Sequence, residues 1–338
     1  MATIRDIARH TNLGIATVSR VLNERPGVSP ETRETVLHAV KELNYRPNSI
    51  ARSLVKKRTH SIGLIVSDIT NPYFSTLAKH VEDLASEAGY AVVMCNTDHR
   101  VDKEEFYAAV LEERRVDGLV FASSGFNSKH IIHLAGKIPV AALDREIDHQ
   151  NVCVVAQDNV KGTFLATEHL IANGHRRIAC FTGPLTIAAS LDRLRGYQMA
   201  LSAHSLEVDR DLIREGRWTE ESGAELARDL LARDNGVTAV VASNDLCALG
   251  VVEACREMGF GVPERLSVVG YDDIYLASLL RPRLTTVAQP IGEMSRAAMR
   301  FILARLHGQE PGDRRVVYSP RLVPRDSVAG PAKGIAGT

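Results

Sequence analysis

The feature that most constrains the fold is an alternation, from Ser61 onward, of short apolar runs with helical segments. Four such runs read SIGLIVSD, YAVVMCN, VDGLVFAS and IPVAALD, and the pattern begins again with RRIACFTG, TAVVASND and SVVGYDD. Apolar strands that alternate with helices are typical of parallel sheets covered on both faces. Because such connections are right-handed, few topologies are compatible with this order. The sequence therefore predicts two similar α/β lobes with parallel sheets.

Residues 1–46 have a different pattern, that of three short helices. Thr3 followed by Asp6 forms a capping-box start, and Asn12 suits a left-handed turn after the first helix. A second short helix follows Gly14, and a third begins at Pro30. Helix, tight turn, helix is the arrangement of a DNA-binding motif whose second helix enters the major groove.

The third helix of this head has an apolar face. Its spacing predicts that Val36, Leu37, Val40 and Leu43 point into a small core. Three helices in fewer than 50 residues then form an independent, all-α domain.

The charge of the chain is unevenly distributed. The formal net charge of the 338 residues is zero, but residues 1–60 contain eleven Lys and Arg against five Asp and Glu, so the head carries +6 and the remainder −6. A basic head on an acidic body is the pattern of a nucleic-acid-binding module joined to a small-molecule module. A solvated basic helical face is the alternative interpretation of the charge alone.

The head and the body are joined by RPNSIARSLVKKR, residues 46–58. Pro47 ends the preceding helix and Asn48 can cap a new one, in which Ala51 and Leu54 share an apolar face. A helix of about two turns is marginal in water, so we expect it to form only when something holds it. An ordinary basic linker remains the alternative for this stretch taken alone.

These patterns divide the chain. We expect a helix-turn-helix domain over 1–46, a hinge helix and linker over 47–60, and a two-lobed domain over 61–328. The family resemblance given below implies that 61–328 bind an effector and a second subunit, with the first lobe over about 61–157 and 290–319 and the second over about 158–288 and 320–328. The Gly/Ala/Pro-rich residues 329–338 are predicted to be a disordered tail.

Polar and aromatic side chains follow the predicted strands of both lobes. Ligands of such folds bind at the carboxyl ends of the strands, where rings can stack on a sugar and planar polar groups can bind its hydroxyls. The predicted ligand-binding residues are Asn71, Tyr73, Phe74, Asp144, Arg145, Arg193, Trp218, Asn244, Asp272 and Gln289. Taken singly, each is equally consistent with a core aromatic, a helix cap or a surface charge.

Other functional classes find little support in the sequence. The five cysteines lie mostly in apolar runs and are expected to be buried thiols, and His130 and His133, on a predicted helix, are expected to face solvent rather than a metal. We find no nucleotide-binding loop and no nucleophile elbow. We therefore expect no enzyme activity, no cofactor, no metal and no membrane association, and a cytoplasmic location.

The runs ATVSRVLN, VSPETRE, ELNYRPN and ARSL resemble the LacI/GalR family of bacterial regulators. The resemblance extends over nearly the whole chain. It implies that Ile15, Ala16 and Arg20 face base edges, that Thr17 and Ser19 lie near phosphates, and that Leu54 enters the minor groove at the operator centre. The other positions implied to contact DNA are Thr3, Asn23, Asn48 and Ala51. Many members carry Ser where this chain has Gly14, so a hydroxyl cap is absent here.

The body resembles the effector-binding core of that family and, more distantly, periplasmic ribose-binding proteins. The ten ligand-binding positions match the ribose-contacting pattern of the latter. Purine-responsive members use polar residues at the positions of Ile187 and Ala189, which disfavours a purine. The resemblance implies a homodimeric repressor that binds a palindromic operator and is released by a sugar, with ribose favoured. A purine- or other metabolite-responsive regulator, or a sugar-binding module without a regulatory role, are the alternatives.

Overall fold

A computed structural model of the protein describes residues 2–23, 25–45, 58–122, 129–233 and 236–331. The chain forms two compact units, one up to Thr59 and one from His60 onward. The predicted hinge residues Asn48, Ala51 and Leu54 lie outside the described residues, as does the predicted tail from 332 onward.

The head consists of three helices, α1 (Ile4–Thr11), α2 (Ile15–Leu22) and α3 (Pro30–Glu42). The capping box at the start of α1 is present, and Asn12 ends that helix in the left-handed conformation, as predicted. Ser29 caps α3 by accepting a hydrogen bond from the backbone N–H of Thr32. Local capping thus accounts for where α1 and α3 begin.

The core of the head is built from small apolar side chains. Ile7, Val18, Val21 and Val36 are fully or almost fully buried between the three helices. The prediction for Leu37 is wrong, because this side chain is 46% exposed. One residue step in a helix turns a side chain by about 100°. With Val36 pointing inward, its neighbour therefore faces water.

The first lobe of the larger unit contains a six-stranded parallel sheet. Its strands lie in the order β11-β5-β4-β3-β1-β2. The strands are β1 (Ser61–Val66), β2 (Ala91–Asn96), β3 (Gly118–Ala122), β4 (Val140–Leu143), β5 (Val152–Gln157) and β11 (Arg315–Tyr318). The helices of this lobe are α4 (Pro72–Glu87), α5 (Val101–Glu113), α6 (Lys129–Ala135) and α12 (Ile291–Leu306).

The second lobe contains a sheet of the order β12-β10-β9-β8-β6-β7. The strands are β6 (Ile178–Thr182), β7 (Ile213–Glu215), β8 (Ala239–Val241), β9 (Ser267–Asp272), β10 (Thr285–Ala288) and β12 (Arg321–Val323). Its helices are α7 (Asn159–Ala172), α8 (Ala188–Ala203), α9 (Glu220–Leu231), α10 (Asp245–Glu257) and the short α11 (Tyr275–Leu279). The prediction of an α-helical head and parallel α/β lobes is confirmed, except that edge strand β12 runs antiparallel to β10.

Three segments of the described chain connect the two sheets. They join β5 to α7, β10 to α12, and β11 to β12. Buried apolar clusters cover both faces of each sheet. All five cysteines are buried and free, as expected. The carboxyl ends of the parallel strands, which carry the candidate site, are thus held by two well-packed cores.

The predicted tail begins too early in the sequence. The carbonyl oxygen of Ala329 accepts hydrogen bonds from His175 Nε2 (2.8 Å) and Ser267 Oγ (3.0 Å). These two donors are buried in the second lobe and need an acceptor that solvent cannot supply. Ala329 therefore belongs to the second lobe. Amino-acid composition alone does not predict these hydrogen bonds of Ala329.

Candidate functional site

The carboxyl ends of strands from both lobes surround a cavity of about 510 Å³. The structure brings all ten predicted ligand-binding residues to its wall. From the first lobe these are Asn71, Tyr73, Phe74, Asp144 and Arg145, and the others are Arg193, Trp218, Asn244, Asp272 and Gln289. Parallel strands place their ends at one edge of a sheet, which is why positions far apart in sequence converge here.

The aromatic part of the wall is positioned by the start of α4. Asn71 caps this helix through its side-chain oxygen, which accepts a hydrogen bond from the Tyr73 backbone N–H at 3.0 Å. The rings of Tyr73 and Phe74 meet edge to face with their centroids 5.0 Å apart. The cap and the ring packing together fix two aromatic side chains at the cavity.

Two aspartates face the cavity from opposite lobes, and both have unusual backbones. Asp144 follows β4 with φ 51°, and Asp272 ends β9 with φ 115°, followed by Asp273 with φ 56°. Left-handed conformations are costly for residues other than glycine and tend to persist at functional sites. The unusual backbone conformations therefore indicate that Asp144 and Asp272 are functional residues of this wall.

Burial changes the acidity of both carboxyl groups. Desolvation raises the pKa of Asp272 to about 6, opposed by the nearby Arg193 guanidinium and by the hydrogen bond from Gln289. Desolvation also raises the pKa of Asp144 to about 6, and a backbone hydrogen bond from Gln157 is the main opposing influence. Near neutral pH both groups are thus poorly solvated carboxylates, which favour ligands that donate hydrogen bonds.

Arg193 lies between two aromatic rings. Its guanidinium carbon is 3.6 Å from the centroid of the Tyr271 ring and 5.0 Å from that of Trp218. Its Nη1 donates to the Ser243 carbonyl oxygen at 2.6 Å, and its Nη2 lies 3.8 Å from Asp272 Oδ1. This cation is therefore rigid, and it faces Asp272 across a short gap.

Arg145 reaches the cavity wall, but its guanidinium is bound elsewhere. Its Nη1 donates to both carboxylate oxygens of Glu104 at 3.2 and 3.3 Å, and the guanidinium lies over the Phe121 ring. His130 Nε2 is 2.7 Å from Glu104 Oε1, with only 12% of the His130 side chain exposed. The expectation that His130 faces solvent is wrong, because this buried carboxylate draws it inward.

The amide of Asn244 is engaged within the protein. Its Oδ1 accepts from the Cys247 backbone N–H at 2.9 Å, which caps α10, and its Nδ2 donates to the Trp218 carbonyl oxygen at 3.1 Å. Asn244 therefore holds Trp218 at the cavity in addition to lining it.

Several cavity residues were missed by the sequence reasoning. The wall also contains Gln157, His99 and Asp192, and the backbone N–H of Gln157 donates to Asp144. Tyr271 is buried next to Gln157, to which its hydroxyl donates a hydrogen bond. Gln157 is the last residue of β5, so the strand-end rule that identified the other residues could have found it. Tyr271 lies inside β9, where a core position was the simpler interpretation.

The second helix of the head presents an open surface. Ile15 is 48% exposed, and Ala16 and Arg20 are exposed beside it, although the core of a three-helix domain would bury apolar side chains. Gly14 precedes α2 without any side-chain cap. An exposed apolar pair next to an arginine is suited to thymine methyl groups and guanine edges.

Among the described residues, the other predicted DNA-contacting side chains lie around α2 or at the start of α1. Thr17 and Ser19 are partly exposed, and Asn23 Nδ2 donates to the Ser19 carbonyl oxygen at 2.8 Å. The hydroxyl of Thr3 donates to Asp6 Oδ2 at 2.7 Å, so it is used in the capping box.

Comparison with known proteins identifies the family. The model of the bacterial regulatory proteins, lacI family, matches residues 3–48, and that of a periplasmic binding protein-like domain matches residues 167–328. The chain is 38% identical over 330 residues to the ribose operon repressor of Halalkalibacterium halodurans, covering 98% of both proteins. The chain belongs to the LacI family. It is accordingly a DNA-binding transcriptional repressor that responds to a ligand.

Other members of the LacI family resemble this repressor over most of its length. The HTH-type transcriptional repressor PurR of Aliivibrio salmonicida is 35% identical over 97% of this chain and 99% of its own. A lac repressor dimer bound to operator and the anti-inducer ONPF superposes with a TM-score of 0.86 at 29% identity, covering 97% and 99% of the two chains. A LacI family regulator from Enterococcus faecium with bound ribose superposes with a TM-score of 0.73 at 31% identity, covering 80% of this chain and 98% of its own.

Within the described ranges, no helix is long and apolar enough to cross a bilayer. The same part of the chain contains no group of three His, Cys, Asp or Glu side chains arranged to hold a metal ion.

Proposed function

We propose that this repressor binds a near-palindromic operator as a homodimer in the cytoplasm and releases it when a neutral monosaccharide, ribose or a close relative, occupies the cavity between its lobes. The observation that carries the proposal is the convergence of ten predicted residues around one cavity with an aspartate from each lobe. Residues 1–46 act on DNA, 47–60 form the hinge, and 61–328 bind the effector and the second subunit.

The electrostatics of the cavity favour a neutral polyol. The charge of Arg145 is compensated by Glu104, and Arg193 lies next to Asp272. A ligand with a phosphate or carboxylate would bring another anion towards Asp144 and Asp272, whose ionised forms are already disfavoured by burial. Sugar hydroxyls instead donate hydrogen bonds to these two carboxylates.

The shape of the wall supports a sugar ring. Tyr73, Phe74 and Trp218 present aromatic surface on which the C–H face of a pyranose or furanose can pack. Ile187 and Ala189 add apolar surface rather than hydrogen-bonding groups for a purine. A relative named for the ribose operon and a neighbour with bound ribose make ribose the first sugar to test.

The dimer follows from the requirements of DNA binding. A single head of about 60 residues makes few phosphate and base contacts, whereas two heads related by a twofold axis match two half-sites. The relatives are named as repressors rather than enzymes, and the proposed mechanism needs no catalytic step. The effector acts only by binding the two lobe arrangements with different affinity.

The experiment that tests the proposal pairs calorimetry with operator binding. The full chain is titrated with ribose, other pentoses, hexoses, gluconate and a purine, and its affinity for operator DNA is then measured with and without the best ligand. We expect binding of ribose or a related neutral sugar and a loss of operator affinity. Binding of the purine alone would instead favour the metabolite-responsive alternative. A bound sugar in a protein that binds no DNA would favour a sugar-binding module.

A further inference from the structure

We infer that Gln157 is a positioning residue of the sugar site, which orients Gln289 and thereby holds the Asp272 carboxylate in the geometry that receives the ligand. The inference rests on the proposed function, since it concerns the same cavity. Gln157 was not among the residues predicted from the sequence.

A chain of hydrogen bonds connects the two site carboxylates through this residue. The backbone N–H of Gln157 donates to Asp144 Oδ1 at 2.9 Å. Its side-chain Nε2 donates to Gln289 Oε1, and Gln289 Nε2 donates in turn to Asp272 Oδ1 at 2.5 Å. The Tyr271 hydroxyl donates to Gln157 Oε1 at 3.3 Å. Gln157 therefore forms hydrogen bonds with Asp144 of the first lobe and with Tyr271 of the second.

The direction of these bonds requires an amide at position 157. Gln157 accepts from Tyr271 with its oxygen and donates to Gln289 with its nitrogen, and only a side chain with both functions satisfies the two partners. Gln157 is only 4% exposed, so water does not readily replace either bond. With its oxygen bound by Gln157, the amide of Gln289 is oriented with its nitrogen towards Asp272.

The hydrogen-bonded residues Gln157 and Gln289 also lie on two different polypeptide segments that connect the lobes. Gln157 ends β5, immediately before the chain passes to α7 in the second lobe. Gln289 lies between β10 of the second lobe and α12 of the first. A change in lobe arrangement bends the chain at such connecting segments. The hydrogen bonds at Asp272 are thus linked to the positions at which the lobes move.

Two substitutions separate a positioning role from a structural one. Gln157→Leu removes the donor and the acceptor at similar volume. Gln157→Glu restores both functions when its carboxyl is protonated and loses the donor when it ionises. Exposed Gln309, in the loop after α12, provides the matched control Gln309→Leu. Ribose affinity of each full-length protein is measured by calorimetry between pH 5 and pH 8, beside thermal unfolding without ligand.

The wild type should bind ribose more tightly as pH rises through about 6, because Asp144 and Asp272 become better acceptors on ionisation. In Gln157→Leu we expect affinity to fall by about fivefold or more and the midpoint of this pH dependence to move upward, because Asp272 loses an oriented donor. In Gln157→Glu the gain in ribose affinity with rising pH should be smaller than in the wild type, because ionisation of the new carboxyl removes the donor to Gln289. Gln309→Leu should match the wild type.

The outcomes distinguish the inference from the proposed function. If the wild type binds ribose and Gln157→Leu reduces affinity without moving the midpoint, or leaves both unchanged, Gln157 does not position Asp272. If the wild type binds no sugar, the proposed function fails first. Carbon-13 NMR titration of the Asp272 carboxyl, assigned with Asp272→Asn, then tests the hydrogen-bond chain without a ligand. An Asp272 titration identical in wild type and Gln157→Leu would overturn it.

Discussion

Asp272 makes the clearest compromise between stability and function in this repressor. Asp272 is 6% exposed, and burial raises the pKa of its carboxyl group to about 6. A raised carboxyl pKa means that the folded protein binds a proton more tightly than the unfolded chain. This tighter proton binding by Asp272 contributes to the free energy of unfolding. The contribution is complete below about pH 4 and is lost as pH rises through about 6.

Asp272→Asn should separate these two properties. Asparagine keeps the size of the side chain but does not ionise, so we expect the free energy of unfolding at pH 8 to increase by roughly 1–3 kcal/mol while ribose binding is lost. Denaturant unfolding between pH 4 and pH 8, together with calorimetry, measures both effects. Asp148→Asn, at an exposed position, is the control. Unchanged ribose affinity in Asp272→Asn would show that this carboxylate does not bind the ligand.

At the scale of elements, pairs of helices in the second lobe approach closely through glycines. A Cβ atom at Gly250 of α10 would lie 1.9 Å from the carbonyl oxygen of Glu220 at the start of α9, and one at Gly223 would lie 2.0 Å from that of Cys247. Gly196 of α8 approaches the Val160 carbonyl oxygen in the same way. These positions require glycine because any side chain would collide with the backbone of the neighbouring helix, and not because the backbone needs an unusual conformation.

Gly250→Ala should therefore destabilise the second lobe. The added methyl group meets backbone, which cannot rotate away, and overpacking of this kind costs about 1–3 kcal/mol or more. Gly292→Ala in α12 is the matched control, because its Cβ would meet only side-chain atoms, of Arg296 at 3.5 Å and of His80 at 3.9 Å. The control should be neutral or more stable by up to about 1 kcal/mol. Equal urea midpoints for the two variants would contradict this account of the α9 and α10 contact.

For the whole molecule, the central question is how a ligand in one unit changes DNA binding by another. The two units meet in sequence between Thr59 and His60, and coupling requires an element whose equilibrium both ligands bias. We propose that residues 47–60 supply this element. A hinge helix that forms only when DNA or its dimer mate holds it would have this property. Under the proposed function, we expect sugar binding to lower operator affinity by melting that helix.

Leu54→Gly tests the coupling, because it removes the proposed minor-groove wedge from the hinge and leaves the cavity intact. We expect weaker operator binding with unchanged ribose affinity, measured by DNA-binding titration and calorimetry. Leu54→Met, which keeps an apolar wedge, should retain most of the operator affinity. If Leu54→Gly binds the operator as tightly as the wild type, residues 47–60 act only as a linker.

The sequence alone was sufficient where the determining interactions are local or strictly periodic. Apolar runs between helices specified the parallel lobes, and the Thr3 and Asp6 pair specified the start of α1, because capping and periodicity depend on neighbours a few residues apart. The strand-end rule brought ten residues to one cavity because parallel strands share an edge. It was less informative about what each side chain does there.

Only the tertiary structure determined which side chains bind one another, because side-chain pairing depends on which elements become neighbours in space. Gln157 and Gln289 are 132 positions apart, and Arg145 and Glu104 are 41 apart, so no local pattern marks either pair. The buried carboxylate of Glu104 turned His130 inward, and the buried donors of His175 and Ser267 held Ala329 in the second lobe. Buried polar groups must find partners wherever the chain packs them, and only the packed structure identifies these partners.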